Sequence, residues 1–211
     1  MYALVIDETI TKYFSYPKGF TLGDKQYPAD IFMKWSVEEK EAIGIYEVVF
    51  DDSNKKDEKW YINTNQSFNF ADDTVTASYG TATPKAHADT TWSQDDEDAG
   101  DLPDDKSVGD IKTRGLKYNL IQTIKQQAAG LLAPTDWYVV KANEIADYSV
   151  PDDITTFRAL VRSKSNEMET QITNASNTPA LETLYAYVNT SAEGDPEIME
   201  KPLGEFPTLE I

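Results

Sequence analysis

Hydrophobic and polar positions change rhythm part-way along the chain. The first part carries short apolar or aromatic runs broken by turn residues. Tyr2–Ile6 is an apolar run, and Thr11–Ser15 carries Tyr13 and Phe14. Phe20–Leu22 and Lys25–Tyr27 flank Gly23-Asp24, which predicts a two-residue hairpin turn because glycine accepts positive φ at its first position. Ser36 and Glu39 have capping-box spacing, so a short helix is expected through Ala42, ending at Gly44 as a left-handed cap. Ile45–Phe50 returns to strand, rich in β-branched and aromatic residues. Trp60–Thr64 and Thr74–Tyr79 read as further strands, with Phe68 and Phe70 between them. The short connections predict mostly antiparallel pairing around a single short helix.

A helical rhythm takes over later. Leu116, Leu120, Ile124 and Ala128 lie four apart, with Ile121 beside them, as in an amphipathic helix closed by Gly130. Ser107 is its expected cap, with Asp110 close behind. Pro134 opens a segment holding Trp137–Val140, read as helix with Thr135 or Asp136 capping; a strand is the alternative. Pro151-Asp152-Asp153 opens a third helix whose apolar face is Ile154, Phe157, Leu160, Val161, Met168 and Ile172. A fourth, short helix starts at Pro179 and runs through Leu181, Leu184 and Val188. Pairing 111–129 with 153–174 as a helical hairpin gives each stripe an apolar partner.

Between these halves, Ser93–Asp105 has no periodicity and many like charges, which repel and extend a chain. The expected organisation is α+β: a small antiparallel β-rich domain over 1–86, an acidic linker over 87–108, a helical hairpin domain over 109–189, and an extended Pro-rich acidic tail over 190–211.

Charge narrows the function. Lys and Arg number 19 against 37 Asp and Glu, a formal net charge of -18 in 211 residues. Such a chain repels nucleic-acid phosphates and anionic membranes, so neither is an expected partner. The 40% hydrophobic content is enough for a core. With no cysteine, thiolate metal sites, disulfides and cysteine nucleophiles are ruled out. The segment from Met1 to Asp7 lacks the basic-then-apolar pattern of a signal peptide. No apolar run approaches the roughly 18 residues of a membrane span.

Candidate chemistry is sparse. From Asp95, an EF-hand pattern finds Glu97 and Gly100 in place but fails at Ala99 and Lys106. His87, the only histidine, sits in a Thr/Ala/Asp-rich stretch and reads as an exposed loop residue. Glu38-Glu39 and Asp152-Asp153 lie in first turns of expected helices, where negative charge opposes the helix dipole. No catalytic residue, cofactor or metal is assigned, and the chain is not expected to be an enzyme. Among the tryptophans, Trp60 and Trp137 read as core, and Trp92, beside the acidic run, reads as an exposed contact residue. Arg158 and Arg162 share a helix face. They either pair with acids such as Asp153 and Glu167 or clamp a partner's carboxylates and carbonyls.

Leu131-Leu132-Ala133-Pro134-Thr135-Asp136-Trp137-Tyr138, followed by Phe157-Arg158-Ala159-Leu160-Val161-Arg162, resembles a motif of bacteriophage tail-fibre assembly proteins and related phage tail proteins. A second likeness lies in Tyr27-Pro28-Ala29-Asp30-Ile31, Trp35-Ser36-Val37-Glu38-Glu39 and Ile43-Gly44-Ile45-Tyr46. Together they cover about a quarter of the chain. The resemblance implies a non-enzymatic role in a tailed phage, with Trp137 packing a helical hairpin. The longer β-rich front, acidic spacer and Pro-rich tail depart from short family members and suit a component retained in the virion tail, made in the host cytoplasm. The alternative is an assembly chaperone absent from the particle. Implied partners are other tail or fibre proteins, or further copies of the chain, with Trp92, Trp137, Tyr138, Arg158 and Arg162 as partner-binding residues.

Overall fold

The computed structural model describes residues 1–193 and 195–209. The chain is α+β and divides into two compact units, Met1–Thr83 and Pro84–Ile211. The boundary thus falls just ahead of the expected one, after Thr83.

The first unit is built on a five-stranded sheet ordered β2-β1-β5-β8-β7. Its strands are β1 (Tyr2–Ile6), β2 (Thr9–Phe14), β5 (Ile45–Asp51), β7 (Ser67–Ala71) and β8 (Thr74–Ser78). β3 (Phe20–Leu22) and β4 (Lys25–Tyr27) form the expected hairpin with Gly23 at φ +58. Helices α1 (Ile31–Lys34) and α2 (Val37–Glu41) follow, two where one was expected. The α2 capping box forms as read: the Glu39 amide donates to Ser36 Oγ at 3.2 Å, and the Ser36 amide to Glu39 Oε2 at 2.8 Å. Trp60–Thr64 shortens to β6 (Tyr61–Ile62), while the segment carrying Phe68 and Phe70 is itself a strand. β9 (Thr83–Pro84) lies at the junction of the units.

β1 pairs antiparallel with β2 and β5, β3 with β4 and β7 with β8, whereas β5 and β8 run parallel from Val48↔Val75 to Asp51↔Ser78. Connection length failed as a guide here because β5 and β8 are not consecutive, and β6 and β7 make the crossover between them. Two tight turns carry no glycine. Asp7-Glu8 joins β1 to β2 and Asp72-Asp73 joins β7 to β8, all four residues at positive φ. Such turns match the right-handed strand twist. β1 is covered on both faces. Ala3 and Val5 pack with Val48, Val75 and Ala77, whereas Leu4 packs with Phe14, Phe20, Tyr27, Ile31, Phe32 and Ile45. Gly44 takes the expected left-handed conformation (φ +81); a Cβ there would lie 2.3 Å from the Val5 carbonyl oxygen.

The second unit opens with β10 (Thr90–Thr91), α3 (Gln94–Asp98) and β11 (Ile111–Thr113). The segment expected to be a solvated linker is therefore folded. Ser93 and Asp96 form a capping box on α3, and β10 pairs antiparallel with β11. The EF-hand-like run from Asp95 is helical only through Asp98 and turns at Ala99-Gly100. Ser107 caps no helix; its amide donates to Asp110 Oδ2 in a turn at 2.8 Å.

Helix α4 (Leu116–Leu132) starts after Gly115 and runs through Gly130 rather than ending there. Gly115 sits where a Cβ would lie 2.3 Å from the Ala88 carbonyl. After a 3-10 turn (Ala133–Thr135) come α5 (Asp136–Glu144), α6 (Asp152–Asn174) and α7 (Thr178–Tyr185). α4 and α6 form the expected antiparallel hairpin. Lys117 Nζ reaches the Thr173 carbonyl at one end, while Ala128 meets Phe157 and Val161 at the other. Leu160 departs from the expected apolar face and is exposed. Val188 belongs not to α7 but to β12 (Val188–Asn189), paired with β13 (Met199–Glu200).

The stretch from 190 onward, expected to be extended, folds back. Leu203 is 3% exposed and its amide donates to the Leu184 carbonyl. Phe206 and Leu209 pack on the Ala128–Phe157–Val161 cluster. The helical hairpin leaves an apolar flank, and these three side chains cover it. Among the described residues no helix is long and apolar enough to cross a membrane.

Candidate protein-docking site

Helix α5 differs from α4, α6 and α7, each of which buries residues. None of its nine residues is buried. Trp137 is 52% exposed and Val140 53%, and Ile145 just beyond the helix is 49%. A helix with an unburied apolar side contributes little packing free energy, so something else must hold it in place.

That anchor is Arg158. The residue is 8% exposed and its side chain enters the corner between α4 and α5 from the flank of α6. Nη1 donates to the Leu132 carbonyl at 3.1 Å and to Thr135 Oγ1 at 2.6 Å, and lies 2.8 Å from Asp136 Oδ1. The Thr135 hydroxyl in turn donates to the Leu132 carbonyl at 2.7 Å. One guanidinium thus satisfies a carbonyl at the end of α4 and holds the Thr-Asp pair that starts α5. Pro134, at the start of the 3-10 turn, lacks the amide hydrogen that would continue the ladder.

The anchor leaves Trp137 facing outward, with Tyr138 half-buried beside it. The rings of Trp137 and Tyr138 lie 4.0 Å apart between centroids at 33°. Lys141 Nζ sits 5.5 Å from the Trp137 ring and 4.1 Å from that of Tyr148, bracing the ledge through cation–π contacts.

The five candidate residues meet different fates. Trp137, Tyr138 and Arg158 come together at this corner, but in altered roles. Trp137 is a surface residue, not the core residue expected, because α5 turns away from the hairpin. Arg158 faces its own chain, and its carboxylate is Asp136 rather than Asp153 or Glu167. Arg162, one turn further along α6, is exposed and makes no ion pair with the described residues. Trp92 belongs to the β10–β11 segment. It is half-buried under Lys112 Nζ, 4.3 Å from its ring, and its backbone pairs with Asp110 and Gly109. Lys112 also meets Asp96 Oδ1 at 2.6 Å, and that bond, with the Ser93 amide and hydroxyl, pulls the Asp96 carboxyl down to about 2. His87 is half-buried, its carbonyl accepting from the Lys117 amide at the start of α4.

Thr135, Asp136, Lys141 and Tyr148 were missed as site residues. Thr135 and Asp136 stand in the sequence as cap candidates and as part of the 131–138 motif, and Lys141 and Tyr148 join Trp137 through helical and loop geometry that spacing alone does not reveal. Comparison of the chain with models of protein families, with curated proteins and with solved structures finds no match.

Proposed function

We propose that the protein is a non-enzymatic structural component of a tailed-phage virion, in its tail, fibre or baseplate region, and that α5 is a surface through which it docks on a neighbouring protein. The observation that carries the reading is the Arg158 anchor. The 131–138 and 157–162 stretches, which resemble a motif of tail-fibre assembly and tail proteins, meet there, and their polar residues hold a helix with an exposed Trp. An exposed Trp with a half-buried Tyr beside it on a rigid element presents residue types that dominate protein interfaces. A buried arginine tied to a carbonyl, a hydroxyl and a carboxylate is a way to fix such an element without giving it a core.

Proteomics of gradient-purified particles tests the reading. A fixed copy number in keeping with phage symmetry supports a virion subunit. Absence from particles, with recovery bound to a fibre protein in infected lysate, replaces it with an assembly chaperone. Failure to find the chain in either place overturns both.

A further inference from the structure

A cavity of about 490 Å³ lies in the second unit between α4, α6, the end of α7 and the returning stretch 201–206. Its apolar walls are Ile124 and Leu131 from α4, Met168 from α6, and Leu203 and Phe206 from the returning stretch. Ile124, Met168 and Leu203 are buried, so the cavity reaches the inner layer of the hairpin. Tyr185, at the end of α7, adds a phenol; burial pushes its hydroxyl up to about 12, so it stays uncharged. The charged lining residues, Lys201 and Glu205, pair with each other at 3.9 Å, and the Lys201 ammonium also lies over the Tyr187 ring. Gly130 lines the cavity from within α4 and leaves that wall without a side chain. Glycine is the poorest helix former after proline, so its place inside a helix calls for a reason. Gly44 and Gly115 have one, since a Cβ at either would strike backbone. At Gly130 a Cβ would meet nothing within 4 Å, and φ is not positive. What glycine does there is keep the cavity wide.

We propose that this cavity binds a small, uncharged, predominantly apolar molecule. Its size falls within the range of about 300–1,000 Å³ in which small-molecule sites lie, and apolar walls with few polar groups are their usual form. A charged ligand is a poor occupant. It would lose hydration against apolar walls and meet a lysine already balanced by a glutamate. A polypeptide segment is a poor occupant too, because the chain's own 201–206 stretch already forms one wall, with the Leu203 amide donating to the Leu184 carbonyl. Since that stretch supplies Leu203 and Phe206, a ligand binds only its folded-back form and holds it against α4 and α6. The site is built from elements other than α5 and stands independently of the docking role given to that helix.

The test uses the full chain and two fluorescent probes that share one aromatic skeleton and brighten in apolar surroundings: uncharged phenylnaphthylamine and its sulfonate, anilinonaphthalene sulfonate. The expected result is saturable binding of the uncharged probe, about tenfold or more tighter than the sulfonate. Gly130→Met puts a side chain on the open wall while improving helix propensity, and should weaken that binding about tenfold or more. Trp137→Ala, on the exposed side of α5, should leave it unchanged. Far-UV circular dichroism checks that both variants remain folded. In the wild type, saturating phenylnaphthylamine should slow hydrogen exchange at the Leu203 amide about tenfold or more, a readout that needs no variant. Binding that does not saturate, or that Gly130→Met leaves unchanged, overturns the proposal. Loss of binding in Trp137→Ala overturns it as well, because the probe would then sit on α5. Tighter binding of the sulfonate removes the uncharged class, and unchanged exchange at Leu203 with probe bound removes this cavity as the site.

Discussion

Replacing Arg158 with alanine should be the most damaging polar substitution in the second unit. The side chain donates to Thr135 Oγ1 and to the Leu132 carbonyl, and its partner Asp136 is 60% exposed. Hydrogen bonds to a charged group contribute about 1.5–3 kcal/mol each. The ion pair adds no more than about 1 kcal/mol, because Asp136 is well solvated. Relief of the buried guanidinium's desolvation offsets part of the loss. The net expectation for Arg158→Ala is about 3 kcal/mol, a fall in melting temperature of about 10 °C for a unit of this size. Asp136→Ala should cost about 1 kcal/mol. Thr135→Val removes the shared hydroxyl, and a double-mutant cycle with Arg158→Ala should give a coupling of about 1–2 kcal/mol. Urea denaturation followed by far-UV circular dichroism measures all three. A cost under about 1 kcal/mol for Arg158→Ala, or strictly additive effects with Thr135→Val, would refute the anchor.

Leu203→Ala should cost about 2–4 kcal/mol although it lies in a segment that reads as tail, because its side chain is buried; a change near zero in the same denaturation assay would mean the segment does not complete the core. The Asp96 carboxyl lies below its ordinary value, so its contribution to stability is full above about pH 4 and is lost as pH falls through about 2. Emission from Trp92, which shares Lys112 with Asp96, should report a transition in that window, and Asp96→Asn should remove it. Gly44→Ala should cost about 2 kcal/mol or more, since it combines positive φ with a backbone clash; Gly100→Ala, at φ +78 in open space, should cost only about 1 kcal/mol, and equal costs would show that the clash with Val5 is relieved.

Local signals were legible where one residue type does one physical job. The Ser36/Glu39 box, the Gly23 turn and the Gly44 cap are all sequence-adjacent devices, and the structure builds each. The long stripes of α4 and α6 were equally plain because apolar periodicity over several turns has few other meanings. Three features were hidden. The turns at Asp7-Glu8 and Asp72-Asp73 use residues that do not require positive φ, so the strand carrying Phe68 and Phe70 lost its boundary marker. The acidic segment after Trp92 reads as unstructured because its carboxylates repel as a string of charges, yet Lys112 pairs with the Asp96 carboxylate and Ser93 hydrogen-bonds it, anchoring the segment locally. Trp137 was misplaced because an aromatic beside a helix start is a core residue by default. Only the reach of Arg158, twenty-three positions from Thr135, shows that α5 leaves the core.

The place of β5 in the sheet has a kinetic consequence. β1 with β2 and β7 with β8 are hairpins, closable by tight turns and therefore fast. β5 bridges them through backbone pairing, antiparallel to β1 and parallel to β8, across long stretches of chain, while Tyr13 of β2 meets Phe68 of β7 only through side chains. Formation of the first unit is then limited by bringing two preformed ribbons onto one strand, a step dominated by loop-closure entropy. Val48, buried at the β5–β8 junction, is where refolding rates should respond most to truncation, and the tips of the two hairpins are where they should respond least.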